Sequence, residues 1–312
     1  MEIYKYAPGV ALDTPAVIAL GYFDGVHAGH RRLLDTARSV ARDRGLDFAV
    51  FTFTAEGGLK GTSPIYTTEQ KLALLEEAGA DRVIIADFSD ISSVSAEDFI
   101  KNCLVCDMNC RVAVCGQDYR FGQGALGDTN FLSSILSELS RECIIEDEHR
   151  IYGEKISSTK IKELLSLGEV DLAREFLGMP YHIRCEVVRG LGVGRTLGFP
   201  TVNTALSDDK TLLPRGVYRT AVDIDGVLYT GVTNVGVCPT FDERALHAET
   251  YIVGYQDDLY GKKIRIFFLG YLREEKKFSS PEELIMQINV DKNEAIYKNG
   301  ELKWQEIGPN LP

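Results

Sequence analysis

No uninterrupted apolar run in the 312 residues approaches the roughly 20 needed to cross a bilayer, so a membrane-spanning helix is not expected. The opening MEIYKYAPGVALDTP lacks both the basic flank and the apolar centre of a secretory signal, and a cytoplasmic compartment is expected. Positive charge is in deficit. Lys and Arg number 34 against 46 Asp and Glu, for a net charge of −12 and a pI near 5.0. That balance disfavours nucleic acid or an anionic membrane as the main partner, since both are polyanions. An anionic ligand would have to be met locally, by backbone N–H groups, helix starts, a metal ion or a few basic side chains. Internal repeats and low-complexity tracts are also missing, which removes solenoids from consideration. The seven cysteines, at 103, 106, 110, 115, 143, 185 and 238, form one cluster only. Its C-x2-C-x3-C spacing has the form of a metal site. The surrounding FIKNCLVCDMNC, however, reads as the end of an amphipathic helix with cysteines as small apolar residues and no histidine nearby. What remains is a chain long enough for two domains, each with its own core.

The most informative stretch is residues 190–203, GLGVGRTLGFPTVN. Gly190, Gly192, Gly194 and Gly198 allow positive φ and let backbone N–H groups approach an anion closely, and Arg195 adds a planar cationic fork. Pro200 restrains the chain, so Thr201 and Asn203, two positions apart, face one side of an extended segment with oxygen donors suited to Mg²⁺. A glycine-rich hairpin without a ligand is the plainer alternative. Downstream, VYRTAVDI, VLYTGVTNV, ETYIVGY and KIRIFFLGY are short β-branched or aromatic runs separated by Gly, Pro and Asp, and they predict strands. SPEELIMQINVDKNEAIY predicts a terminal helix, with Ser280 as N-cap and Glu283 three places on. Glu249 opens a strand after a polar turn. It is the candidate general base for activating a hydroxyl, with a solvated strand-end glutamate as the alternative.

In the first half, VIALGYFDGVHAGH (residues 17–30) runs from an apolar strand through Gly21, Phe23, Asp24 and Gly25 to His27-Ala28-Gly29-His30. A helical pattern, RRLLDTARSVARDRG, follows. Two imidazoles at a helix start, with Gly29 between them, suit a phosphate site. EQKLALLEEAGADRVIIADF then alternates helix and strand, as a parallel α/β sheet requires. Ser157, Ser158 and Thr159 precede another helical pattern, and can serve as caps or as phosphate ligands.

The string from Gly190 to Asn203 resembles the riboflavin kinase family. The resemblance continues through LLPRGVY, TNVGVCPTF, the glutamate of HAETYI, LYGKKIRIFF and LREEKKF, and covers about Tyr181 to Asp291. The first half resembles the HxGH nucleotidyltransferases, and in particular the adenylyltransferase half of bacterial bifunctional riboflavin kinase/FAD synthetases. VAVCGQDYRFGQGALGD and ISSTKIKELLSLGEVDLAREFLGMPY extend that match. The resemblance implies a Rossmann-like domain over 1–180 and a small β-barrel closed by a C-terminal helix over 181–312. It implies riboflavin, FMN and ATP as substrates and Mg²⁺ as the metal, held by Thr201 and Asn203. Glu249 would be the base for the ribityl hydroxyl, and Arg273 would lie near flavin or nucleotide. His27 and His30 would stabilise the phosphate charge during adenylyl transfer. Asp118, with Tyr119 and Phe121, would shape the pocket at the sheet's carboxyl edge.

Two departures stand out. Where the family continues as Phe-x-Pro-His-Pro, this chain reads Phe53-Thr54-Ala55-Glu56-Gly57-Gly58, and Lys162 stands where arginine is usual. An ammonium lacks the bidentate fork that grips a phosphate. The sequence therefore leaves open a kinase with an impaired or redirected first domain. A flavin- or nucleotide-sensing regulator is a further alternative, disfavoured by the presence of Glu249 and both histidines, because binding alone requires no base.

Overall fold

A computed structural model describes residues 1–9, 11–55, 63–189, 194, 197–206, 210–237 and 246–307. The chain divides into two compact units, Met1–Ser158 and Thr159–Pro312.

The first unit is a parallel α/β sheet. Its strands are β1 (Glu2–Lys5), β2 (Ala16–Leu20), β3 (Asp47–Phe53), β4 (Arg82–Ala86), β5 (Cys110–Gly116) and β6 (Glu142–Glu146), in the order β1-β4-β3-β2-β5-β6. Every pairing is parallel. Both faces of β2 are covered, and all five of its residues, Ala-Val-Ile-Ala-Leu, are buried, the pattern of a central parallel strand. Burying each such valine, leucine or isoleucine contributes about 1.5–3 kcal/mol before conformational entropy is counted. The chain grows from β2 to β3 and β4 on one side, then returns to place β5 and β6 on the other. The reversal falls between β2 and β5, and the carboxyl ends of strands at such a switch point are where open α/β sheets bind ligands. The helix Ala28–Arg44 follows β2 directly. It buries Leu33, Leu34, Ala37 and Ala41 and is stopped by Gly45 at φ 62. A small hairpin, β7 (Arg150–Ile151) and β8 (Glu154–Lys155), precedes the end of the unit.

The second unit is an antiparallel sheet of β9 (His182–Glu186), β10 (Thr201–Ala205), β11 (Gly216–Ile224), β12 (Val227–Val237), β13 (Leu246–Ile252) and β14 (Lys263–Arg273), in the order β10-β13-β12-β11-β14-β9. The sheet curls until Val188, just past β9, bridges Asn203 of β10. β11 and β12 are joined through Asp225-Gly226, both at positive φ, the residue pair that a tight hairpin turn favours. One face carries Thr220, Thr233 and Thr250, whose hydroxyls link at 2.9 Å and 2.9 Å in a fully buried row. The other face meets the helix Pro281–Asn299, which packs against β11 and β12. That helix begins as the sequence predicts, with the Ser280 hydroxyl accepting the Glu283 N–H and Pro281 at the first turn. The Glu283 carboxylate returns to the Ser279 N–H, one residue before the cap itself.

The packing division falls at the first residue of the helix Ser158–Ser166, and the helix Val170–Leu177 lies wholly in the second unit. Val170–Leu177 lies against β14, and Asp171 pairs with Arg219 at 2.5 Å.

Candidate active sites

At the end of β2 the backbone must turn sharply. A Cβ on Gly21 would come within 3.0 Å of the Phe23 ring, and Phe23, Gly25 and Val26 all take positive φ, 52°, 80° and 41°. Such a turn persists only if surrounding bonds hold it. Asp24, which the sequence places at the ligand, is buried, and its carboxylate accepts the Ile65 N–H at 2.8 Å. The Asp24 carbonyl in turn accepts the hydroxyl of Ser158 at 2.9 Å, which joins the serine-rich segment to the loop. Ser157 lies beside it in sequence. Thr159 and Lys162 follow on the helix that Ser158 opens.

His27 caps the helix Ala28–Arg44, its Nδ1 accepting the His30 N–H at 3.2 Å. In the neutral ring this fixes the proton on Nε2, which is then a donor. The His27 and His30 rings stack, with centroids 3.5 Å apart and planes 12° from parallel, and Phe23 meets His30 edge-on at 5.2 Å. Burial pushes His27 down to about 3 and His30 well below its ordinary value, the latter also through the charge of His27. Both rings are therefore neutral near pH 7 and present N–H donors rather than fixed cations. His30 Nδ1 is buried without a hydrogen-bond partner among the described residues. A Cβ at Gly29 would sit in ordinary contact with the His27 ring, at 3.4 Å.

Asp118 follows β5 and is exposed, paired with Lys155 of β8 at 2.7 Å; Lys155 also meets Glu148 at 3.1 Å. Phe121 is not at the surface. It packs against Tyr119 and Phe99, and Gly127 is pressed so close to its ring that a Cβ would lie 2.7 Å away. Two basic residues that the sequence reading passed over sit by the histidines. Lys155 acts on His27 and Lys71 on His30 through their charges. Lys71 was legible in principle, because it occupies the buried stripe of its helix with Gln70, Leu74 and Leu75. Lys155 left no signal in spacing. The divergent loop at Glu56, Gly57 and Gly58 lies outside the described residues.

In the second unit, a cavity of about 230 Å³ opens between the outer face of the sheet and the helix Pro281–Asn299. Glu249, Thr201, Asn234, Tyr251 and Val232 line one wall, and Leu284, Ile288 and Asp291 the other. The strand register explains the polar wall. Glu249 of β13 stands opposite both Asn203 of β10 and Asn234 of β12, and Thr201 is two residues from Asn203, so all four share one face. The Thr201 hydroxyl donates to Glu249 Oε1 at 2.7 Å. This donor set, a hydroxyl, an amide carbonyl and a carboxylate, is hard oxygen and fits Mg²⁺. Arg273 also lines the cavity, yet its guanidinium is already clamped by the buried Asp291 at 2.7–3.1 Å, with Gln287 on the same carboxylate. Gly194 faces the wall. A Cβ there would fall 2.4 Å from the Phe199 carbonyl, and Gly198 takes φ 83. Gly190 and Arg195 lie outside the described residues.

Comparison with known proteins bears on both sites. The FAD synthetase family model matches residues 10–160 and the riboflavin kinase family model residues 177–297. The bifunctional riboflavin kinase/FMN adenylyltransferase of Bacillus subtilis (strain 168) is 34% identical over 291 residues, 90% of this chain and 92% of that protein. The chain belongs to the bifunctional riboflavin kinase/FMN adenylyltransferase family. The Escherichia coli (strain K12) member is 32% identical over 284 residues, 88% of this chain and 90% of that protein. In this chain the FAD synthetase match precedes the riboflavin kinase match. A solved structure described as a macrolide-efflux protein from Streptococcus pneumoniae superposes with a TM-score of 0.84 at 29% identity, over 96% of this chain and all of that one. Among the described residues of the present chain, no helix is long and apolar enough to cross a membrane.

Proposed function

We propose that this chain phosphorylates riboflavin with ATP at the cavity beside Glu249, and adenylylates FMN with ATP at the histidine pair, releasing pyrophosphate. The observation that carries the reading is the row of Thr201, Asn203, Glu249 and Asn234 on one face of the curled sheet, beside a cavity large enough to admit a substrate alcohol. The family supports two activities over the kinase-only and sensor readings.

In the kinase step the ribityl hydroxyl attacks the γ-phosphorus of ATP, its proton passes to Glu249, and ADP leaves. Glu249 can accept that proton by exchanging the Thr201 hydroxyl for the substrate's. Thr201 and Asn203 would hold Mg²⁺, which neutralises charge on the transferring phosphate. Gly194 and Gly198, with Gly190 and Arg195, would bring N–H groups and a cation to the phosphates, and the Arg273–Asp291 pair would hold the flavin side of the cavity.

In the first domain, which we take as Rossmann-like and of the HxGH type, a phosphate oxygen of FMN attacks the α-phosphorus, and the bond to pyrophosphate breaks without a covalent enzyme intermediate. Neutral His27 and His30 donate hydrogen bonds to the developing charge. Gly29 and the start of the helix leave room for the phosphates, and Ser157, Ser158, Thr159 and Lys162 complete their surroundings. Functionally, residues 1–180 would serve adenylyl transfer and 181–312 phosphorylation. In the cytoplasm ATP would serve both, with riboflavin the acceptor in the phosphorylation and FMN in the adenylyl transfer.

The test is a chromatographic time course of riboflavin, ATP and Mg²⁺ with the purified chain, beside a second reaction started from FMN. FAD is expected in both. FMN without FAD would remove the adenylyltransferase half of the reading. Thr201→Ala should raise the Mg²⁺ needed for FMN formation and leave FAD formation from FMN untouched.

A further inference from the structure

The strained turn that carries the histidines needs an anchor, and the structure holds an unusual one. Lys71 is only 2% exposed, on the inner stripe of the helix Thr68–Glu77. Its ammonium donates to the carbonyl of Tyr22, just past β2, at 3.2 Å, to the carbonyl of Phe53 at the end of β3, and to the Thr52 hydroxyl at 3.4 Å. The Tyr22 ring covers it at 4.8 Å. Thr52 bonds the same Tyr22 carbonyl at 2.9 Å, and the Gly21 N–H reaches the Phe51 carbonyl at 3.3 Å. The helix is itself fixed at its start by a reciprocal cap, Thr67 and Gln70 bonding each other's backbone N–H groups at 3.3 Å. A cation is thus locked across the carboxyl ends of two adjacent strands, at the point where the backbone enters its left-handed run through Phe23, Gly25 and Val26.

We propose that Lys71 is a positioning residue for adenylyl transfer: it pins the Tyr22–Val26 turn to the end of β3 and so fixes the start of the helix from which His27 and His30 meet the phosphate. This rests on the role given to His30 above. Burial of an ammonium is costly unless its donors are used, and here they are spent on carbonyls at the turn. The charged and titratable groups that face His30 are His27, Lys71 and Arg31. Burial is the main cause that holds the His30 ring unprotonated, and with His27 itself neutral the charges of Lys71 and Arg31 act in the same direction.

The experiment uses the full chain with Lys71→Met and Lys71→Gln. FAD formation from FMN, FMN formation from riboflavin and the NMR titration of the five histidine rings are measured for each. Lys71→Met should lower kcat for FAD formation about tenfold or more, with KM changed less than about threefold, because alignment is lost rather than ground-state binding. FMN formation should be unchanged. Lys71→Gln keeps N–H donors for the carbonyls and drops the charge, so it should recover part of the rate, while His30 takes up its proton at higher pH in both variants. A wild-type kcat in Lys71→Met, or a His30 titration identical to wild type in both variants, overturns the proposal. Should Lys71→Met fail to fold, Lys71→Gln decides by the same two readouts. If instead His30→Ala leaves FAD formation intact, the role of His30 falls, while the ring titration still reports whether Lys71 governs its charge.

Discussion

Glu249 and Thr201 share a 2.7 Å hydrogen bond, and that contact dictates what substitution at each should do. Glu249→Gln preserves the size of the side chain and its contact with Thr201 but cannot take up a proton. FMN formation should fall by about 10² or more, the usual worth of a general base, with flavin binding retained in a fluorescence titration. Turnover within tenfold of wild type would remove Glu249 from the base role. The histidines make a different prediction. His27 is held to about 3 in the folded chain and returns to about 6.5 on unfolding, so between those values the unfolded chain binds more protons. The stability contributed by neutral burial is complete above about pH 6.5 and declines as pH falls towards 3. The urea midpoint of the first unit should therefore drop between pH 7.5 and 4.5, and His27→Asn should flatten that slope. Equal slopes in the two proteins would place the acid sensitivity elsewhere.

Elements explain why some of this was readable and some was not. The strand-loop-helix around His27 is encoded locally, in an apolar run, a glycine turn and a helical pattern that follow one another in the chain. The join between Ser158 and Asp24 is not, for it links positions 134 apart in sequence. The inward place of Lys71 on its helix is a local feature, but its carbonyl partners, 49 and 18 residues away, are not. Phe121 reads as a pocket aromatic by resemblance, and only packing shows it seated against Phe99 and Gly127. The glycine loop offers a test of two distinct reasons for having no side chain. At Gly194 the reason is space: a Cβ would strike the Phe199 carbonyl at 2.4 Å, so Gly194→Ala must move the loop and should cost most of the FMN-forming activity. At Gly198 there is room, but φ is 83, so Gly198→Ala should cost about 1–2 kcal/mol of local strain. Melting curves and FMN assays on the two variants separate these effects. A Gly194→Ala enzyme as active as wild type would mean that the loop has slack the packing does not suggest.

At the scale of the whole molecule, two cores are built by different rules, a parallel sheet buried on both faces and a curled antiparallel sheet with a helix across one face. The class of each was legible, because continuous apolar strands alternating with helices specify the first and short strands with Asp-Gly and proline turns the second. Between the two runs of strands, Val170–Leu177 packs on β14 and exchanges a salt bridge with Arg219. Each unit also keeps its reacting side chains within its own span, Glu249 with Thr201 and His27 with His30. Chains disabled at different sites should therefore complement one another through free FMN. Glu249→Gln alone should make no FAD from riboflavin but should convert supplied FMN, and His30→Ala alone should stop at FMN. An equal mixture of the two, given riboflavin, ATP and Mg²⁺, should produce FAD after a lag that shortens as protein concentration rises, because the second step waits for released FMN to accumulate. FMN that builds up in the mixture without becoming FAD would mean that Glu249→Gln had damaged the histidine site as well, and that the two reactions depend on each other in a way these separate constellations do not require.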